Sequence, residues 1–372
     1  MKGLSQVQEE RLHALLAELI DQQAASVLVP PHRGAPGFWF GGGDLAQDAE
    51  GTIWLSGRYR DYGDSRTGLE AGQRGLECVI LRSDDGGQSY EKVRSWSKAD
   101  LSRNAEVLSI EGTDLQIHAD GTCELYISSE KALSYPESLR DYQKPGTGVW
   151  TIDCMRGTSI EHLDPATLTS VLVNGDRPEY LHVKDPVVFR AEDGSTNMVF
   201  CSHPYCWSSS NTGLAVRCPG GDAFTVQSWE LVSRGATWDV AATRVTGRMA
   251  IPPLGCFASS SPCSAYFYDG AECLRDHEES SLARKRPRGY SCEELGGAMW
   301  GWDASFPELE RLSRLAPMFV SPWGTGCSRY VSCLVTDTGI HAVWQQSQAD
   351  GSQPLVGHTV PMSRAEQILS GG

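Results

Sequence analysis

The sequence has no stretch of about 18 consecutive apolar residues, so no segment reads as a membrane-spanning helix. Its first residues, Met1-Lys2-Gly3-Leu4-Ser5-Gln6-Val7-Gln8-Glu9-Glu10, lack the basic-then-apolar order of a secretory leader. The expectation is therefore a soluble, cytoplasmic protein with no membrane partner. Positive charge is in short supply: 32 Lys and Arg stand against 47 Asp and Glu, a formal charge of -15. Binding to DNA or RNA relies on cations that neutralise phosphates, so no nucleic-acid partner is expected. The P-loop, His-Glu-x-x-His and Gly-x-Ser-x-Gly patterns are missing, as is a dinucleotide-binding glycine fingerprint, which removes the usual nucleotide, zinc-protease and serine-hydrolase signatures. The 12 cysteines form no paired Cys-x-x-Cys arrangement. Cys201 and Cys206 flank His203, and Cys256 precedes Cys263, but neither spacing matches a structural zinc site, and the thiols read as reduced and mostly buried.

What is present is turn-forming and aromatic: 39 Gly, 19 Pro and 11 Trp, with only 21% charged residues. That composition suits many short strands joined by tight turns. At 372 residues the chain is long for one ordinary core, yet closed repeat folds absorb such lengths because each unit packs only on its neighbours. Residues 5–25 are the exception to the β pattern. Leu12, Leu15, Leu16, Leu19 and Ile20 fall on one helical stripe behind Ser5 as N-cap, which predicts a leading amphipathic helix over 1–29 with its lead-in. Such a helix packs on the body of the protein or serves as a contact in a homo-oligomer. From residue 30 to 372 a turn-plus-strand unit recurs: DAEGTIWLSGR at 48–58, HADGTCELYIS at 118–128, AEDGSTNMVFCS at 191–202, SPCSAYFYDG at 261–270 and VTDTGIHAVWQQS at 335–347. Five decorated blades fit this spacing, so the expected fold is all-β, a five-bladed β-propeller with a short N-terminal helix. A charged insertion near 270–300, with the basic run Arg284-Lys285-Arg286-Pro287-Arg288, is expected to interrupt blade four as a surface loop, a lid or a clamp for an anionic substrate.

Ser83-Asp84-Asp85-Gly86-Gly87-Gln88-Ser89-Tyr90 matches the Ser-x-Asp-x-Gly-x-x-aromatic Asp-box, whose side chains bond the backbone of a hairpin turn. Its role is structural. Functional groups of a propeller collect where inner strands meet the central channel, which directs attention to carboxylates beside the repeats. Asp44 follows Gly41-Gly42-Gly43, Asp185 lies in His182-Val183-Lys184-Asp185-Pro186, and Glu272 follows Asp269-Gly270-Ala271. On these residues and the repeat rhythm the sequence resembles the five-bladed glycoside hydrolases, the arabinanase and xylosidase group (family 43) and the invertase and fructanase group (family 32), with one sialidase-type Asp-box. The resemblance implies Asp44 as base or nucleophile, Asp185 as the tuning or stabilising carboxylate, and Glu272 as general acid, with Glu293 and Glu294 as alternative acids. Asp44 is followed by Leu45, where that family usually has proline. Glycosidic cleavage needs one carboxyl protonated to serve the leaving oxygen and another ionised to activate water or attack. Both aspartates also have a plainer reading as turn residues that bond their own backbone.

Several residues suit sugar binding. Trp39 and Trp207 sit among glycine and serine neighbours, and His203 lies in a loop-like run rich in small polar and aromatic groups. Arg58 and Arg60 alternate on a strand, which lets them project together toward a carboxylate, with Arg66 close behind; ion pairs to Asp61 or Asp64 are the plainer reading. Nothing in the spacing demands a cofactor, and a structural calcium ion in the channel would leave no signal here. The leading expectation is a glycoside hydrolase acting on short oligosaccharides or glycosides by carboxylate acid/base chemistry. Alternatives are a noncatalytic carbohydrate-binding or scaffold propeller, and a sialidase-like hydrolase, lyase or phosphorylase acting on an acidic sugar.

Overall fold

The computed structural model describes residues 3–61, 74–143, 146–203, 209–272 and 294–371. Five antiparallel sheets form five blades. The first holds β2 (Trp39–Gly41), β3 (Leu45–Gln47), β4 (Ile53–Arg60), β5 (Glu77–Ser83) and β6 (Glu91–Ser97). The second runs β7 (Val107–Ile117), β8 (Cys123–Lys131), β9 (Val149–Gly157) and β10 (Asp164–Leu172). The third runs β11 (His182–Arg190), β12 (Thr196–His203), β13 (Asn211–Arg217) and β14 (Thr225–Val232). The fourth runs β15 (Ala242–Ala250), β16 (Cys263–Ala271), β17 (Leu295–Trp302) and β18 (Glu310–Arg311). The fifth runs β19 (Ser328–Val335), β20 (Gly339–Gln346) and β21 (Leu355–Pro361).

Each sequence repeat is the turn and second strand of one blade: β4, β8, β12, β16 and β20. These strands are buried on both faces, between neighbouring blades, which is why their apolar residues run together rather than alternate. The lead-in does not stand apart from the propeller. β1 (Ser26–Val29) pairs antiparallel with β21 and completes the fifth blade, so segments near both ends of the chain close the ring. A strand this short, with Val27 exposed, carries little periodicity of its own and is fixed by its partner.

The leading helix spans Gln6–Leu19, with Ser5 and Gln8 forming a reciprocal capping box. Its buried Leu12, Leu15, Leu16 and Leu19 join Ala365, Ile368 and Leu369 of the C-terminal helix Met362–Ser370 in one core beneath blades four and five. Burial of each such leucine contributes roughly 1.5–3 kcal/mol. The Asp-box caps the β5–β6 hairpin. Asp85 Oδ1 accepts from Ser83 Oγ at 2.8 Å and from the Gln88 and Ser89 amides at 3.0 Å each, and Ser83 Oγ accepts from the Gly87 amide at 2.8 Å.

Candidate active site

All five inner strands break register where they line the channel. β7 shifts between Ile110 and Thr113, β11 between Lys184 and Val187, β15 between Val245 and Gly247, β19 between Arg329 and Ser332, and the first blade splits into β2 and β3 around Gly42-Gly43. Such bulges turn side chains out of the pleat, here toward the hub. The turns that end these strands give a common ruler. The amides of Asp48, His118, Ala191, Ile251 and Thr336 each close the turn to the next strand. Four residues back stand Asp44, Asp114, Val187, Gly247 and Ser332, one layer of the channel. Two residues earlier, Gly42, Asp185 and Tyr330 occupy one blade position, all with left-handed φ, at 69°, 51° and 54°. Non-glycine residues adopt that conformation at a cost, and the strain of Asp185 and Tyr330 is held by the bonds they make.

In the Asp44 layer, Ser332 Oγ donates to Asp44 Oδ1 at 2.5 Å, and the Asp44 amide donates to Ser56 Oγ at 3.1 Å. Gly43 permits this approach, since a Cβ there would lie 1.8 Å from the Ser56 carbonyl oxygen. Asp44 is partly exposed; crowding by protein lifts its carboxyl from the usual aspartate range to about 6, against the opposing pull of the Ser332 hydroxyl. Asp114 is buried and accepts from the Val188 amide at 2.8 Å and Gln116 Nε2 at 2.6 Å. Burial first, and then the charge of Asp44, keep Asp114 protonated well above the ordinary range.

Above this layer the third, fourth and fifth blades share one network. Asp185 Oδ1 accepts from the Gly112 amide at 3.1 Å, and its Oδ2 faces the Tyr330 hydroxyl at 3.4 Å and Arg244 Nη1 at 3.6 Å. Arg244 Nη2 reaches Asp269 Oδ2 at 2.8 Å and Glu294 Oε1 at 2.9 Å, while Arg329 pairs with the other Glu294 oxygen. The Tyr330 ring lies beneath three guanidiniums, with Arg244 at 4.8 Å, Arg329 at 5.2 Å and Arg58 at 5.7 Å. Burial raises Asp269 to about 6, an effect Arg244 opposes and Glu294 reinforces; Glu294, although buried itself, is held below its ordinary range by Arg244 and Arg329. Burial likewise raises the Tyr330 phenol, against its arginines, so a phenolate nucleophile of the sialidase kind is disfavoured.

The expected site residues are distributed as follows. Asp44 and Asp185 line the hub on neighbouring layers, two positions apart in the blade register. Glu272 stands exposed where β16 ends, whereas Glu294 lies inside the arginine network; Glu293, Trp207 and Arg66 lie outside the described residues. His203 is buried, its Nδ1 3.0 Å from the Ser209 carbonyl oxygen, and burial keeps its ring from protonating in the ordinary range. Trp39 is buried and serves as a face for cations, with Arg60 at 4.5 Å and Arg329 at 5.0 Å. Arg58 and Arg60 project into the hub from β4, and Arg58 Nη2 meets Glu111 Oε2 at 3.3 Å. Asp61 pairs instead with His32 Nδ1 at 3.0 Å.

Sequence reasoning missed Asp114, Asp269, Arg244, Arg329, Tyr330 and Ser332. A signal existed for Asp114, which precedes the His118 turn by the same four residues that separate Asp44 from the Asp48 turn. Asp269 had none, because the ends of neighbouring strands converge only once the ring closes, which also brings Glu294, named from sequence as an alternative acid, into the same network.

No protein-family model matches the chain, and no curated protein matches it in sequence. Solved structures do share its fold. A structure described as a glycoside hydrolase superposes with a TM-score of 0.62 at 10% identity, covering 96% of each chain. The α-L-arabinofuranosidase from Lactobacillus brevis gives 0.56 at 11% identity over 89% of this chain and 92% of its own. An exo-1,5-α-L-arabinanase from a bovine ruminal metagenomic library gives 0.55 at 10% identity over 90% of this chain and 94% of its own. The five-bladed propeller is thus the fold of glycoside hydrolases of this type, shared here almost end to end.

Proposed function

We propose that the chain is a glycoside hydrolase whose substrates are glycosides or short oligosaccharides and whose reaction centre is the hub of the propeller. The observation that carries this reading is Asp44. It is a partly exposed carboxyl lifted to about 6, set beside a second carboxyl, Asp114, that stays protonated. A base of this kind is still mostly ionised near pH 7 yet takes a proton more readily than a free aspartate. The shared fold with an arabinofuranosidase and an arabinanase supports the same class of bond as target.

In this reading Asp44 activates water or attacks the anomeric carbon. Asp185, anchored by the Gly112 amide and facing Tyr330 and Arg244, stabilises the charge that develops on the sugar. Glu272, exposed where β16 ends, is the proton donor, whereas Glu294 is committed to Arg244 and Arg329. The test is release of product from a panel of aryl glycosides and oligosaccharides by the parent chain and by Asp44→Asn, Asp185→Asn and Glu272→Gln. Loss of about 10²-fold or more in kcat is expected for each. Full activity in all three folded variants refutes the assignment, and binding without cleavage anywhere on the panel points to a noncatalytic carbohydrate-binding propeller.

A further inference from the structure

The hub of this acidic protein is rich in buried cations, and their partners are unevenly shared. Arg58 is matched by Glu111, Arg74 by Glu130 at 2.9 Å, Arg244 by three carboxylates and Arg329 by Glu294. Arg60, only 4% exposed, has no carboxylate within ion-pair distance among the described residues. Its charge rests on the Trp39 ring at 4.5 Å. Its Nε and Nη2 are both buried without a hydrogen-bond partner among the described residues, as are Nε and Nη1 of Arg58, which is 2% exposed.

A buried guanidinium with open N–H groups is costly, about 1–3 kcal/mol for each unmet group and more for a charged one. The geometry of the open groups is specific. Nε–H and Nη2–H of one guanidinium lie along a single edge and point the same way, matching the two oxygens of a carboxylate in parallel hydrogen bonds. Arg58, two residues along the same strand face, adds further donors beside that edge. Glu111 is already ionised, burial notwithstanding, through Lys184, Arg58 and Arg60, and accepts from Ser109 Oγ at 2.8 Å and from Nη2 of Arg58. Among the described residues the Arg60 edge therefore remains unclaimed.

We propose that the substrate carries a carboxylate, as a uronic acid does, and that Arg60, assisted by Arg58, seats that carboxylate at the hub. The proposal rests on the glycosidase reading above and narrows its substrate class to acidic sugars. A fork of two parallel donors also fits sulfate or phosphate oxygens, and the sulfate competition below distinguishes these anions from a carboxylate.

The decisive measurement is calorimetric titration of the full chain with galacturonate and glucuronate, each beside its methyl ester, which keeps the ring and removes the charge. The acids are expected to bind about 10- to 100-fold more tightly than their esters, the range for a charge-assisted pair. Arg60→Lys keeps the charge but loses the fork and is expected to remove most of that preference; if it does not fold, the acid-to-ester comparison on the parent chain decides alone. Equal binding of acid and ester, no binding of either acid, or displacement of uronate by equimolar inorganic sulfate overturns the proposal. Uronate binding without cleavage of any uronide overturns the glycosidase reading and leaves this one standing. Cleavage of neutral glycosides alone does the reverse.

Discussion

Ser332→Ala gives the sharpest test of how the hub sets the proton affinity of Asp44. The Ser332 hydroxyl donates to Asp44 Oδ1 at 2.5 Å, and it is the principal contact opposing the upward push of burial. A hydrogen bond to a charged acceptor contributes about 1.5–3 kcal/mol, and one pH unit corresponds to about 1.4 kcal/mol. Because Asp44 is partly exposed, water replaces some of the lost bond, and the lower end applies: a rise of about one unit, from about 6 toward 7. The sign follows from which form the hydroxyl favours. It stabilises the carboxylate, so its loss favours the protonated acid, and a base that must be ionised becomes competent only at higher pH. The acid limb of the kcat/KM profile should therefore move up by about one unit, with activity on the alkaline side of that limb largely retained. Ser332 touches the base and not the substrate, so a purely structural role would lower activity at every pH alike. An unmoved acid limb in a folded, active Ser332→Ala protein refutes the role of Asp44 as the titrating base.

Asp44→Asn should abolish hydrolysis and stabilise the protein. The folded carboxyl titrates above its unfolded value of 3.8, so its contribution is lost as pH rises from about 4 through about 6, and the neutral amide removes that loss by up to about 3 kcal/mol at pH 7, as denaturant melts at pH 4 and pH 7 would show. Gly43→Ala should destabilise by about 2–3 kcal/mol or more in the same melts, because the added Cβ meets the Ser56 carbonyl oxygen of a buried strand rather than a movable side chain. Asp85→Ala, in the Asp-box on the outer side of blade one, should lower the melting temperature by about 1–2 °C and leave kcat/KM unchanged, since its partners are confined to one exposed hairpin.

Much of this molecule is written in local patterns. The leucine stripe and Ser5 cap specify the leading helix because a helix needs only near neighbours to choose its buried face. The five turn-plus-strand repeats specify five blades because each marks a tight turn feeding a strand buried on both faces. Asp44 and Asp185 are visible for the same reason, each lying a few residues ahead of such a turn. The hub is another matter. Arg244 and Asp269 come from two strands of blade four and Arg329 and Tyr330 from one of blade five, and in sequence they are ordinary charged and aromatic residues of a β protein; Glu294, just ahead of β17, was visible only as one of several candidate acids. Closing the ring brings them within hydrogen-bond reach; burial in the packed hub then lifts Asp44 and Asp269, while Arg244 and Arg329 hold the buried Glu294 ionised. The sequence by itself thus determined the helix, the blades and where two carboxylates enter the channel. Only the tertiary structure decided that β1 completes the last blade, that Asp114 partners Asp44 and that the edge of Arg60 stays open among the described residues, because strand pairing from residue 26 to residue 357 and burial from five blades at once are properties of the closed ring and not of any one segment.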